Sequence, residues 1–245
     1  MTMIEKEWAE RVRAAVATRT PLCLRGGGSK DFFGCTLAGE RFDLRANRGV
    51  VAYEPTELVV TVCAGTPLAE LEAVLADKGQ YLAFEPPHFG PGATVGGCVT
   101  AGLSGPRRAS AGAVRDFMLG VKLLDGRGEV LRFGGQVMKN VAGYDVSRLV
   151  AGSLGTLGIL LEVSLKVLPR PVAEATLRFE LDEASALQRV NEWGGQPLPV
   201  SATLWQHGVL HLRLSGAEAA VQAACARLGG EALDDATAQA LWTAA

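Results

Sequence analysis

The pattern of apolar and polar positions predicts alternating strands and helices along the whole chain. The run from Leu58 to Gly65 is rich in β-branched residues and predicts a buried strand. Apolar residues then recur at helical spacing over 68–75, where Thr66 suits the N-cap, Pro67 the first helical position and Gly79 the end. These elements predict a small α+β unit, which follows an amphipathic helix at the start of the chain.

The middle of the chain continues this alternation. Two apolar runs, Phe117 to Leu124 and Glu129 to Phe133, flank Asp125-Gly126-Arg127-Gly128. An Asp-Gly turn between apolar runs predicts a β-hairpin. A short helix at about 146–150 and a long strand from Ile159 to Leu168 follow, so this part also combines strands with short helices.

The pattern changes after Pro169 and Pro171, which mark a boundary. Beyond them the sequence predicts, in order, a strand, a helix, two hairpin strands and a second helix: Ala175 to Leu181, Asp182 to Trp193, Ala202 to Gln206, Val209 to Leu214 and Ala217 to Leu228. This order predicts a small sheet with helices on one face. The last residues, Ala238 to Ala245, indicate an element cut short.

Composition excludes several classes of protein. The chain has 245 residues, 48% hydrophobic and 20% charged, with a net charge of −2 and no block of like charge, so a broad basic face for nucleic acid is not expected. No run has the length of a membrane span, and the charged residues near the start do not lead us to expect a secretory signal there. The five cysteines form no C-x-x-C pair, which indicates reduced thiols, a cytoplasmic location, and neither a zinc nor an iron–sulfur site.

Three glycine-rich stretches need a physical reason, because glycine costs backbone entropy. Residues 90–105 contain six glycines, Gly26-Gly27-Gly28 directly follows the predicted strand Leu22 to Arg25, and residues 152–158 contain three more. Such turns let backbone N–H groups approach a phosphate. Neither a Walker loop nor a Rossmann fingerprint is present. For any one stretch, a surface loop or a plain β-turn remains an equal alternative.

Together the three stretches resemble the FAD-binding domain of the vanillyl-alcohol-oxidase superfamily, also called PCMH-type flavoproteins. The matching segments are Arg25 to Ser29, Thr94 to Gly97, Gly143 to Asp145 and Gly152 to Ile159. Longer segments resemble the FAD-binding subunits of bacterial glycolate oxidases in particular: Pro86 to Thr94, Gly105 to Arg108 and Met138 to Asp145.

The resemblance implies an α+β fold. Residues 1–172 would form a PCMH-type FAD-binding domain of two α+β subdomains, about 1–88 and 89–172, and residues 173–245 a reduced α/β cap domain. Residues 26–30 would hold the pyrophosphate, 86–105 would line the ribityl chain and flavin, and 155–159 would lie near the adenosine. The FAD-binding residues it implies are Arg25, Gly26, Gly27, Gly28, Ser29, Lys30, Pro87, Gly92, Ala93, Thr94, Gly96, Gly97, Ala101, Gly102, Gly105, Gly155, Gly158 and Ile159.

The resemblance also implies an activity and partners. Relatives with covalent flavin often carry histidine after the triple glycine, where this chain has Ser29 and Lys30, so FAD is expected to be non-covalent. The implied enzyme is an FAD-dependent oxidoreductase that converts glycolate to glyoxylate, alongside a second flavin subunit and an iron–sulfur subunit. A non-catalytic scaffold of the same fold, an enzyme for another 2-hydroxy acid and a nicotinamide-dependent reductase remain alternatives.

No catalytic residue can be assigned from the sequence. Arg107 and Arg108 are candidate cations for a substrate carboxylate, although contact with FAD phosphate or a partner subunit is favoured. His88 is a weak candidate base. His207 and His211 would lie about 13 Å apart on one strand, too far for neighbouring ligands of one metal. Trp193, Trp205 and Trp242 are candidate contacts with a partner subunit, because tryptophan is enriched at interfaces. For each tryptophan taken alone, packing in the core is favoured.

Overall fold

The computed structural model describes residues 1–34, 38–135 and 144–245. The chain forms two compact units. Unit 1 contains Met1–Leu82, Pro86–Leu103 and Ala113–Leu168, and unit 2 contains Ala83–Glu85, Ser104–Gly112 and Pro169–Ala245. Two short segments from the middle of the chain thus pack with the C-terminal segment. The domain boundaries expected at residues 88 and 172 stay a prediction.

The strands of the described residues are short to medium in length. In chain order they are β1 Leu22–Arg25, β2 Glu40–Asp43, β3 Val50–Glu54, β4 Val59–Cys63, β5 Gln80–Tyr81, β6 Met118–Leu124, β7 Val130–Gly134, β8 Ile159–Lys166, β9 Leu168–Pro169, β10 Ala173–Glu180, β11 Val200–Gln206, β12 Val209–Gly216 and β13 Glu231–Ala232.

The helices lie between these strands. They are α1 Met3–Thr18, α2 Leu68–Ala76, α3 Val95–Ala101, α4 Arg108–Ala111, α5 Val114–Phe117, α6 Val146–Leu149, α7 Glu183–Gly194, α8 Glu218–Leu228 and α9 Asp235–Ala244. None of the helices in the described parts of the chain is long and apolar enough to cross a membrane.

Unit 1 is built on a five-stranded antiparallel sheet with the order β3-β4-β8-β6-β7. The β-branched residues of the central strands face each other, with Val163 opposite both Val62 and Val121. Every residue of β6 is buried. The predicted hairpin β6–β7 is confirmed, and Asp125 closes its turn by accepting hydrogen bonds from the N–H groups of Arg127 and Glu129 at 2.9 Å.

Helix α1 packs against the parallel pair β1–β2. Its capping box joins Thr2 to Glu5, and Trp8 meets Phe42 of β2 edge to face at 5.5 Å between ring centroids. Ile159, at the start of β8, belongs to the same core. This packing fixes strand β1, and therefore the glycine turn that follows it.

A buried ion-pair group lies beside this core. Lys122 Nζ donates to Glu5 Oε1 and, at 2.9 Å, to Glu162 Oε1. Burial alone would raise the pKa of Glu5, but the hydrogen bond from Lys122 and further favourable contacts outweigh it, so that pKa is lowered. Lys122 is thus the shared counter-charge of both glutamates, and its removal would leave two carboxylates without a partner in this group.

The start of α2 differs from the sequence prediction. Pro67 is the N-cap, while the hydroxyl of the fully buried Thr66 accepts a hydrogen bond from the N–H of Gly49 at 2.8 Å. Thr66 therefore fixes the turn before β3 rather than the helix. The helix ends at Ala76, and Gly79 follows in a left-handed conformation with φ of 65°.

The C-terminal segment of unit 2 has the predicted β-α-β-β-α order and adds β13 and α9, and the unit also contains α4. Its antiparallel sheet has the order β11-β12-β10-β13. Leucines of β10 and β12 pack with α7 and α8 in one core: Leu177, Ala186, Trp193, Leu210, Leu212, Leu214, Val221 and Ala224. The residues predicted as a shortened element form helix α9, where Trp242 Nε1 donates to Thr176 Oγ1 at 2.9 Å.

Candidate functional site

A cavity of about 650 Å³ opens in unit 1. Three features form its wall: β1 with the turn after it, helix α3 with its N-cap, and the turn before β8. The lining residues are Cys23, Leu24, Arg25, Gly26, Gly27, Gly28, Ser29, Lys30, Asp31, Phe32, Phe33, Gly34, Leu44, Ala64, Thr94, Gly96, Gly97, Thr100, Ala101, Leu154, Gly155, Gly158 and Leu160. Its volume is in the range of small-molecule and cofactor sites.

The turn after β1 packs backbone to backbone against the loop before α3. A Cβ atom on Gly27 would lie 1.4 Å from the carbonyl oxygen of Gly92, and one on Gly26 would lie 2.5 Å from Thr94 Oγ1. Side chains cannot be accommodated at either position. These two glycines therefore bring two glycine-rich stretches together, which is what allows both to border one cavity.

Successive backbone donors line the cavity in this turn. Among the described residues, the N–H groups of Gly27, Gly28, Ser29 and Lys30 donate no hydrogen bond to the protein. Backbone donors inside a fold are normally satisfied, so a run of free ones indicates a bound acceptor or water. Consecutive N–H groups in a turn form a concave site for an anion.

Helix α3 closes another side of the cavity. Thr94 is its N-cap and accepts a hydrogen bond from the N–H of Gly97 at 3.2 Å. A Cβ on Gly96 would lie 2.9 Å from the carbonyl oxygen of Ala64, whereas one on Gly97 would meet only Thr94 Oγ1, at 3.1 Å. Gly96 is thus required by the fold, while Gly97 keeps space in the cavity free.

The turn before β8 contributes the third side. Leu154 and Gly155 both have positive φ, 51° and 80°. Gly158, with φ of 138°, leaves no room for a side chain, because a Cβ there would lie 2.6 Å from the carbonyl oxygen of Leu124. The glycines of this stretch thus let the chain enter β8 tightly against β6.

Comparison with known proteins agrees with this arrangement. The profile of the FAD binding domain family matches residues 4–134. The chain belongs to this family. FAD is accordingly its cofactor.

Two curated relatives of this FAD-binding domain are glycolate oxidase subunits. Subunit GlcE of Escherichia coli is 51% identical over 91% of this chain, which spans 63% of that protein. Subunit GlcD of Bacillus subtilis is 30% identical over 65% of this chain, which spans 34% of that protein. Alkyldihydroxyacetonephosphate synthase has a similar fold, with a TM-score of 0.69, 19% identity, and coverage of 90% of this chain and 47% of that chain.

The residues of the cavity fit FAD. Free N–H groups suit the diphosphate, and the glycines and the other small residues of α3 leave room for backbone contact with a flat ligand. Apolar side chains that the sequence analysis did not select, such as Leu24, Leu44 and Leu160, complete the wall. Phe32 and Phe33, which follow the glycine turn, are each more than 40% exposed. Two adjacent aromatic residues close after such a turn were a sequence signal for the site that the sequence analysis did not use.

Six of the predicted FAD-binding residues do not line this cavity: Pro87, Gly92, Ala93, Gly102, Gly105 and Ile159. Gly92 packs on Gly27, Gly102 ends α3 with φ of 69°, and Ile159 is buried in the core beside α1. Gly105 belongs to unit 2, where its N–H donates to the carbonyl of Phe84. Direct contact of these six residues with FAD stays a prediction.

The segment Met138 to Asp145 resembles glycolate oxidase subunits, and its part from Met138 to Gly143 lies outside the described residues. Tyr144, at its edge, is 98% exposed. Asp145 is the N-cap of α6, and hydrogen bonds from Ser147 and from the N–H of Arg148 lower the pKa of its carboxyl group. Within the described part, this segment therefore carries a helix cap.

The structure shows partners for Arg107, one of the two candidate cations for a substrate carboxylate. Its side chain is buried in unit 2, where Nε lies 3.3 Å from Glu85 Oε1 and Nη2 lies 2.5 Å from Glu174 Oε1. Arg213 Nη2 binds the second oxygen of Glu85 at 2.8 Å, and its guanidinium lies 4.7 Å from the centroid of the Trp242 ring. Two arginines and two glutamates thus neutralise each other, which leaves Arg107 unsuited to binding a substrate carboxylate.

The candidate base also has a partner. His88 Nε2 lies 2.9 Å from Glu72 Oε2, and His88 does not line the cavity. The described lining contains no histidine. Arg108 is exposed on α4 of unit 2. The geometry therefore selects neither His88 nor Arg108 for substrate chemistry.

The other histidines and the tryptophans considered above lie in unit 2. His207 occupies the β11–β12 turn, while His211 is buried on β12. No group of three or more potential metal-binding side chains occurs among the residues that the structure describes. Trp193 packs in the core of unit 2 at 5.2 Å from Phe179, which excludes it as a surface contact, whereas Trp205 is 39% exposed.

Proposed function

We propose that the chain is the FAD-binding subunit of a glycolate oxidase complex, which oxidises glycolate to glyoxylate. The observation that carries this proposal is the 51% identity with a glycolate oxidase subunit over 91% of the chain. When bound, FAD supplies the acceptor for the hydride that leaves the substrate. The cavity of unit 1 supplies backbone donors, glycines and apolar walls that bind and orient it.

The FAD is bound non-covalently in this proposal. Ser29 and Lys30 stand where covalent relatives place histidine, and the described cavity lining contains no histidine. Cys23 is the thiol of the described lining, and a thiol could form an alternative covalent link. Acid precipitation of the wild-type protein and of Cys23→Ser tests this, since we expect both to release all their flavin into the supernatant.

Electron transfer would require partner subunits. Oxidation of a 2-hydroxy acid needs a base for the hydroxyl proton and a cation for the carboxylate. In the described lining, Asp31 is paired with Arg25, and no histidine is available. We therefore infer that a second flavin subunit, related to GlcD, carries out or completes the substrate chemistry and that an iron–sulfur subunit receives the electrons.

An activity assay tests the assignment. The isolated chain is incubated with glycolate and an artificial dye acceptor, and the partner subunits are then added. We expect little turnover by the isolated chain and full turnover by the complex, which should bind FAD in both subunits. Full turnover by the isolated chain would refute the division of labour, and a colourless chain within an active complex would indicate a scaffold instead.

A further inference from the structure

Two cations flank the glycine turn of the cavity, and their surroundings differ. Arg25 is paired with Asp31: its Nε donates to the two carboxylate oxygens at 3.1 and 3.0 Å, and its Nη2 also donates to Asp31. These hydrogen bonds lower the pKa of Asp31 and raise that of Arg25. The charge of Arg25 is therefore already balanced by the protein.

Arg25 also braces the shape of the turn. A Cβ on Gly28 would lie 2.1 Å from Arg25 Nη2, so the guanidinium lies directly across the turn. Gly28 itself has φ of 75°. The pair of Arg25 and Asp31 thus joins the two ends of the segment 25–31, which is a structural contact.

Lys30 has no such carboxylate. In the described chain, no Asp or Glu oxygen lies within 4.0 Å of its Nζ. Its side chain is half-buried and lines the cavity, and burial lowers its pKa. A partly buried cation without a counter-charge is costly unless an anion joins it.

An aromatic pair holds Lys30 in place. Its Nζ lies 5.6 Å from the centroid of the Phe89 ring, and that ring meets Phe32 edge to face at 5.1 Å. Phe89 has φ of 53°, a left-handed conformation that a large side chain rarely adopts. A cation–π contact positions the ammonium group without neutralising it, so its charge stays available to a ligand.

The available ligand of opposite charge is the diphosphate of FAD. The free N–H groups of Gly27, Gly28, Ser29 and Lys30 are in the same turn as the ammonium group. We propose that Lys30, positioned by Phe89, supplies the positive charge that binds the FAD diphosphate, whereas Arg25 only maintains the turn. This inference rests on FAD binding in the cavity, as proposed above.

Titration of the apo-protein with FAD and with riboflavin, which lacks phosphate, tests the inference. We expect Lys30→Met to weaken FAD binding roughly 10- to 100-fold, the scale of one charged hydrogen bond, and riboflavin binding by no more than about 2-fold. Lys30→Arg should restore most of the FAD affinity. Phe89→Leu should weaken FAD binding roughly 3- to 10-fold, because the ammonium group loses its support.

Salt dependence separates the two cations. FAD binding by the wild type should weaken with ionic strength, and Lys30→Met should remove most of that dependence. The double variant Arg25→Met/Asp31→Asn, which keeps the net charge of the turn, should lower the melting temperature yet retain the wild-type salt dependence. Lys78→Met, which removes an exposed lysine of the same unit, is the control and should match the wild type in both measurements.

The outcomes distinguish this inference from the proposed function. If the wild-type apo-protein binds no FAD, the proposed function itself fails. If the wild type binds FAD but Lys30→Met matches it, or loses FAD and riboflavin affinity equally, the role of Lys30 is overturned while FAD binding stands. Circular dichroism of each apo variant verifies that it is folded before titration.

Discussion

Polar groups in the cavity of unit 1 and in the arginine–glutamate network of unit 2 have different partners, and this difference separates structural from binding roles. In unit 2, Arg107 and Arg213 are paired with Glu85 and Glu174 of the same unit. In the cavity of unit 1, the N–H groups of residues 27–30 lack acceptors in the described protein, and Lys30 lacks a carboxylate. The first arrangement is complete by itself, whereas the second is completed by a ligand.

The largest expected effect comes from removing one arginine of the network that Arg107 and Arg213 form with Glu85 and Glu174 in unit 2. Arg107→Met leaves Glu85 and Glu174 with Arg213 as their cation, and we expect a loss of about 2 to 3 kcal/mol in the free energy of unfolding, at or below the scale for a fully buried pair because Glu174 is partly exposed. The matched control is Arg178→Met, whose partners Glu180 and Glu231 are exposed. It should lower the stability much less, because water and salt screen exposed ion pairs.

Urea denaturation of both variants under identical conditions gives these values. An Arg107 variant as stable as the Arg178 variant would contradict the structural role of the network. A stable Arg107 variant with unchanged FAD content but a raised KM for glycolate would instead support a role of Arg107 in substrate binding.

The next effect concerns neighbouring glycines of α3. Gly97→Val should weaken FAD binding by about 1 to 3 kcal/mol, the scale of overpacking, with a small change in apo-protein melting. Its φ is not in the left-handed region, so backbone strain adds nothing. Gly96→Val should instead lower the melting temperature strongly, because its side chain would meet the backbone of Ala64.

FAD titration and thermal melts by circular dichroism measure the two effects separately. Full FAD affinity of Gly97→Val, or a wild-type melting temperature of Gly96→Val, would contradict the different roles of the two glycines.

The smallest effect is a pH dependence in unit 2. His211 is 8% exposed, and burial lowers its pKa below the ordinary value of 6.5. The unfolded chain therefore takes up a proton at a pH where the folded chain does not. Stability should be complete above the ordinary pKa and decrease as the pH falls below it.

The urea midpoint is measured as the pH is lowered from about 7.5 to about 5.5, around the ordinary histidine pKa. It should decrease for the wild type and decrease less for His211→Leu. Equal pH dependence of the two proteins would show that His211 does not titrate in this way.

Local pattern predicted most of the fold but not the partners of its charges. The strand β4, the helix α2 and the β6–β7 hairpin follow from a β-branched run, apolar residues at helical spacing and an Asp-Gly turn, all of which are local signals. Arg107 pairs with Glu85 and Glu174, which are 22 and 67 residues away in sequence. Such pairing depends on tertiary packing, so the sequence could not reveal that this arginine is neutralised.

The same limit applies to the cavity. The glycine stretches were visible, but the reason for each glycine was not. Gly27 is required by the backbone of Gly92, whereas Gly97 leaves free space, and nothing local distinguishes the two. Residues such as Leu44 and Leu160 look like ordinary core positions in sequence, and only the fold brings them to the cavity wall.

We propose that the backbone donors and Lys30 in the cavity of unit 1 form a non-covalent FAD site. The most direct measurement is a visible spectrum of the purified chain, followed by acid precipitation and quantification of the flavin. We expect a yellow protein with about one FAD per chain, as for one cofactor cavity, and all the flavin in the acid supernatant. A protein that stays colourless after incubation with excess FAD, or flavin that remains in the pellet, would contradict it.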